Sequence, residues 1–224
     1  MKQKILLILL PVLLILSSCK TTEFTPETPV INKTVGDVEF TLRYVTESEI
    51  AEKHGTKANP FYRYPGKLPR KQFFVFETSI ESESTELEIS LRDITISLDG
   101  MAESRARSRR TLAVDWQPYI TADFEESQMK AKMKKSMSSD TILVTPEESF
   151  KAWIVFLTPV SDAFVQNIFS APKEGPSNAV IRIPAKTASG DEGIVEIPMN
   201  MGVMAGNSEE SEKPVNTGIF SEDS

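Results

Sequence analysis

Along much of this chain apolar and polar residues alternate one for one. In VGDVEFTLRYV the residues Val38, Phe40, Leu42 and Tyr44 take every second position, the pattern of a half-buried strand. KQFFVFETSI repeats it with Phe74, Phe76 and Ile80 on one face. TELEISLRDITISLDG carries two phases: Leu87, Ile89 and Leu91 fall on odd numbers, while Ile94, Ile96 and Leu98 fall on even ones. A slip of one residue would turn a straight strand inside out, so a β-bulge or a crossing between sheets is expected near Arg92-Asp93. Further strands are expected in TLAVDW, TILV, KAWIVFLTP, AVIRIPA and GIVEIPM, the last two joined by a turn through Ser189-Gly190-Asp191. KAWIVFL is apolar on both faces, as a strand covered on both sides would be.

Two segments follow the helical period instead. TESEIAEKHG opens with a capping box, Thr46 with Glu49, and stops at Gly55. DFEESQMKAKMKKSM can start at Asp123, with acids in its first turn and lysines in its last, as the helix dipole prefers. Met129, Met133 and Met137 recur every four residues and should face the strands. Such a stripe serves either as core or as an adaptable partner surface. About eight short strands with turns between them, plus one or two short helices, make a mainly β chain and an antiparallel sandwich.

The stretch ILVTPEESFKAWIVFLTP resembles a late segment of telokin-like, immunoglobulin-related domains, in which an L-x-P-G-E-S turn leads into an apolar strand ending in proline. The turn here is Thr145-Pro146-Glu147-Glu148-Ser149, without the glycine, and Ala152 stands where glycine is frequent. The resemblance spans fewer than 20 residues and implies an immunoglobulin-like (telokin-like) β-sandwich, with nothing about activity. Thr145, Pro146 and Glu148 also fit a helix start, but Trp153 to Leu157 offers no polar helical face.

The N-terminus breaks both periodicities. Ile5 to Leu16 is nearly unbroken Leu and Ile, preceded by Lys2 and Lys4 and interrupted by Pro11. At 12 residues it falls short of the roughly 20 that a membrane span needs, and it has the layout of a secretory signal. Its end, Leu16-Ser17-Ser18-Cys19, resembles the lipobox of bacterial lipoproteins. The resemblance implies cleavage between Ser18 and Cys19, a diacylglycerol thioether on the Cys19 sulfur, and acylation of the new amino group by a fatty acid such as palmitate. Two or three buried chains would hold the protein firmly to a membrane, where one holds it marginally.

This divides the 224 residues into a leader (1–18), a lipidated cysteine with a Thr/Pro-rich flexible tether (19–34), a sandwich domain (35–204) and an acidic disordered tail (205–224). Losing Lys2 and Lys4 with the leader takes the formal charge from −7 to −9, which argues against nucleic acid as a partner. Cys19 is the single cysteine, so no disulfide can form within the chain. Lys20 follows the cysteine. By resemblance to enterobacterial sorting, it lacks the aspartate that retains lipoproteins at the inner membrane, and this leans towards the outer membrane or the surface.

Candidate chemistry is sparse. No G-x-S-x-G, H-E-x-x-H or phosphate-cradling glycine loop occurs, and no cofactor is called for. His54, the single histidine, stands at the end of a capped helix where a basic residue suits the last turn. The pairs Glu125-Glu126, Glu147-Glu148 and Glu209-Glu210 are adjacent and therefore diverge. Two basic segments stand out. ESRARSRR places Arg105, Arg107, Arg109 and Arg110 in an expected loop, open to anionic headgroups or to solvent. NPFYRYPGKLPRK sets Phe61, Tyr62, Arg63 and Tyr64 together, and rings beside cations suit sugar faces, peptides or acidic groups. The same rings could instead cap one end of the sandwich. The expected function is a membrane-anchored, non-enzymatic envelope module, binding an envelope protein or glycan. The alternatives are a hydrolase whose carboxylates converge only in the fold, and a subunit of an envelope assembly.

Overall fold

A computed structural model describes residues 22–62, 71–99, 103–119, 125–159 and 177–205. Two antiparallel sheets make up its body. The smaller runs in the order β2 (Val30–Val35), β3 (Val38–Tyr44), β4 (Lys71–Ser82), β9 (Phe150–Pro159). The larger has β1 (Thr22–Pro26), β11 (Glu192–Ala205), β10 (Asn178–Thr187), β5 (Leu87–Ser90) and β8 (Thr141–Val144), with β6 (Thr95–Leu98) also on β10 and β7 (Ser104–Arg105) on β6. Between the sheets lies an inner core of Phe40, Leu42, Phe74, Phe76, Ile89, Ile96, Ile154, Phe156, Ile181, Ile197 and their neighbours. The mainly β, two-sheet sandwich expected from the alternation is therefore present.

β9 is the strand that organises the rest. Its even residues Phe150, Ile154 and Phe156 enter the inner core. Its odd residues Trp153, Val155 and Leu157 enter a second, outer core under three helices: α1 (Glu47–His54), α2 (Arg109–Trp116) and α3 (Glu126–Ser136). The double-sided apolar run thus sits between two layers, as its composition requires. Met129, Met133 and Met137 all point into the outer core, each no more than 2% exposed.

The phase change in TELEISLRDITISL is resolved by a 3₁₀ turn, Leu91–Asp93, rather than by a bulge or a change of sheet. Leu87 and Glu88 pair with Thr187 and Lys186, and Thr95 and Ile96 pair with Arg182 and Ile181. Six residues on this side therefore face three on β10. The excess is odd, so Ile94, Ile96 and Leu98 stay on the core face after the turn.

Three other expectations need correction. TLAVDW is helix, not strand. Leu112, Val114 and Trp116 mimic a two-residue period, yet Leu112 and Trp116, four apart, face the outer core while Val114 stays 62% exposed. Ser108 starts this helix by accepting the Thr111 N–H at 3.2 Å. ESRARSRR is consequently not a loop: it supplies β7, a bridge from Ala106 to Phe156, and the first turn of α2. Lastly, the segment expected as a flexible tether contains β1, paired along β11 from Thr22↔Ala205 to Pro26↔Met201, and β2. Backbone pairing at a sheet edge needs little apolar side chain, so the Thr/Pro-rich composition gave no sign of it. The leader, Ser18 and Cys19, Asp123 and the acidic tail beyond Ala205 lie outside the described residues.

The turns behave as expected. Thr46 and Glu49 form the reciprocal capping box, and Gly55 ends α1 at φ 68°. Thr145 and Glu148 exchange backbone hydrogen bonds of 3.1 and 3.2 Å, closing the turn that carries the chain from one sheet to the other. Gly190, at φ 93°, closes the β10–β11 hairpin.

Candidate functional site

Chemistry-bearing side chains concentrate in the helical layer over the β4–β9 face. α1 ends on His54, which is buried between Phe61 and Trp153 with ring centroids 5.2 Å from each. Phe61 meets Trp153 edge-on at 5.1 Å. The Lys53 ammonium lies 4.1 Å over the Trp153 ring, a cation–π contact. His54 Nε2 and the buried Ser136 hydroxyl of α3 are hydrogen-bonded at 2.9 Å. Burial first, then the charges of Lys53, Lys132 and Lys135, push the imidazole pKa down to about 4. His54 is thus neutral at pH 7, and its ring ties α1 to α3. The Trp153 indole N–H is buried without a partner among the described residues.

Of the residues singled out as ligand contacts, Phe61 is 1% exposed and belongs to the outer core, and Tyr62 packs half-buried against it. Arg63 and Tyr64 lie outside the described residues. The ESRARSRR arginines divide. Arg107 pairs with Asp115 at 2.9 Å, and Arg109 donates to the Met137 carbonyl at the end of α3 from Nε (3.1 Å) and Nη2. Arg105 and Arg110 are exposed. Glu125 is exposed at the start of α3, and Glu147 and Glu148 are exposed side by side in the β8–β9 turn; Glu209 and Glu210 lie outside the described residues. Among the described residues no three His, Cys, Asp or Glu converge as a metal site, and no helix is long and apolar enough to cross a membrane.

One concave feature of this layer was not anticipated. Between α2 and α3 runs a groove of about 440 Å³. Ala113, Val114 and Met133 supply its apolar surface; Arg110 on one side and Lys130 and Lys134 on the other supply cations. Glu126 also lines it and holds Lys130 at 2.6 Å. Lys130 and Lys134 stand four apart in the segment expected as a helix. The opposite wall was hidden because Arg110 fell in an expected loop and Ala113 and Val114 in an expected strand.

No family model and no curated protein matches the chain. Any functional reading therefore rests on its own residues.

Proposed function

We propose that this protein is a lipid-anchored lipoprotein of a bacterial envelope, held through acylated Cys19, whose sandwich serves as a non-enzymatic binding or structural module. The observation that carries the reading is the leader MKQKILLILLPVLLILSSC, with a basic start, a short apolar run and a lipobox-like end. The fold adds a geometric consequence. β1 begins at Thr22, so only Lys20 and Thr21 would separate the anchor from the first paired residue. At about 3.3–3.6 Å per residue, that link spans about 10 Å, and the sandwich would sit close to the bilayer rather than standing off on a tether.

The test is metabolic labelling with a fatty-acid analogue. The native chain should take up label, lose its leader and sediment with membranes. Cys19→Ala should remain unprocessed and unlabelled. A Cys19→Ala chain that still matures and labels would remove the basis of the proposal.

A further inference from the structure

We infer that the groove between α2 and α3 is a docking site for a short acidic segment of a partner protein, seated by an aliphatic side chain. Three observations converge on this. The first is an exposed apolar surface at the centre of a concave feature: Val114, 62% exposed, beside Ala113 and above Met133. An aliphatic residue lying there would cover surface that α2 leaves in water. The second is the distribution of charge. Arg110 flanks the apolar strip from α2, and Lys130 and Lys134, one helical turn apart, flank it from α3. Neither Arg110 nor Lys134 has an ion-pair partner among the described residues. Cations on both sides of an apolar strip complement a segment that carries carboxylates around an aliphatic anchor.

The third observation is that the groove already holds one carboxylate. Glu126 reaches Lys130 at 2.6 Å with both side chains substantially exposed, so an incoming acid can replace it at little cost. Arg109 is engaged on the Met137 carbonyl and fixes the end of α3 against the start of α2, so the two walls are held in place without a ligand. A protein segment fits better than an anionic bilayer because of where the groove faces. The helices cover the outer face of the smaller sheet, whereas the chain comes in from Cys19 through β1, in the other sheet. The groove therefore lies on the side of the smaller sheet that faces away from β1.

The test uses the full chain in non-ionic detergent and a fluorescein-labelled peptide, Glu-Leu-Asp-Asp-Ile-Glu-Glu-Leu-Asp. Saturable binding is expected. It should weaken at least about tenfold in the double variant Arg110→Glu/Lys134→Glu and in Val114→Asp, and fall in high salt. All three positions lie on the surface of the groove, and an unchanged melting temperature will show that the variants stay folded. The same peptide with lysine in place of every acid should not bind. The inference is overturned if the acidic peptide does not saturate. It is equally overturned if the charge-reversed chain binds as well as the native one. Phosphatidylglycerol vesicles form the third arm: vesicle capture that depends on Arg110 and Lys134, without peptide binding, would make the groove a lipid surface instead.

Discussion

The two faces of β9 back onto cores built on different rules. The inner core is mainly aliphatic and phenylalanine-rich, with Met199 and Met201 at β11; β3, β4, β5, β6, β8, β9, β10 and β11 feed it, and Phe76 and Phe156 meet edge-on at 6.2 Å. The outer core mixes three methionines and two tryptophans with a neutral histidine, a buried serine and an indole N–H that has no partner among the described residues. Regular packing of rigid side chains specifies a single arrangement. A layer of methionines and polar contacts under short helices adapts more readily. The difference suggests a division of labour: the inner core holds the sandwich, and the outer core holds the helices that carry the groove.

The sharpest way to break that division is to cut a cavity on each side of β9. Phe156→Ala should cost about 3–5 kcal/mol, since the side chain is fully buried and its neighbours are fixed by two sheets. Chemical denaturation should show the whole protein unfolding at lower denaturant. Met133→Ala should cost less, about 2–3 kcal/mol, because helices above a sheet can settle into the void. Hydrogen exchange separates the two variants. Met133→Ala should release amides of α1, α2 and α3 while β3, β4 and β9 keep their protection. Loss of protection in all of them together would mean that the cores act as one cooperative unit.

A smaller effect should appear with pH. His54 has a folded pKa of about 4 against an ordinary value of 6.5. The folded state therefore prefers the neutral ring, and between these values the unfolded chain binds more protons. Stability from His54 is complete above pH 6.5 and declines as pH falls from 6.5 to 4, by on the order of 2 kcal/mol once partial solvent access is allowed for. The carboxylates act in another window. Hydrogen bonds from Ser84 and Thr85 hold the Asp37 carboxyl well below its ordinary 3.8, so its contribution is lost only as pH falls below that value. Denaturation curves at pH 7.5, 5.5 and 4.5 should thus show a decline that His54→Gln flattens above pH 4.5. A slope that survives the substitution would assign the effect elsewhere.

The same contrast explains what could be read in advance. The inner core was legible residue by residue, because alternation in β3, β4, β5 and β6 directly reports a face. Met129, Met133 and Met137 were legible for the corresponding reason at the helical period. What failed was local ambiguity. Leu112, Val114 and Trp116 satisfy two periods at once, and only the exposure of Val114 settles which one the chain uses. β1 failed differently, since its pairing with β11 is a backbone property that its side chains do not announce. Phe61 was noticed as an aromatic among cations. Its burial depends on contact with Trp153, some 90 residues away in sequence, which no local pattern carries.

The smallest effect on stability concerns the edges of the smaller sheet, where the two sides again differ. The open edge of β9 is partly covered by outer-layer segments: Ala106 bridges Phe156, the Arg107 N–H donates to the Val155 carbonyl at 2.7 Å, and Met137 bridges Trp153. β2 is the terminal strand on the other side, and no described strand pairs with its outer edge. Val30 and Val35 are 41% and 44% exposed there, a composition that invites pairing with another chain. Lys33 lies between them. It pairs across the strands with Phe40, an inner-core residue, so its ammonium stem sits on the core-facing side of the edge, where a second strand would have to bury it. An inward charge on an edge strand opposes sheet extension without adding contacts of its own. Lys33→Val should therefore change the melting temperature little, within about 0.5 kcal/mol of stability, yet drive self-association visible by sedimentation velocity. A variant that stays monomeric at the same concentration would show that Lys33 is not what protects β2.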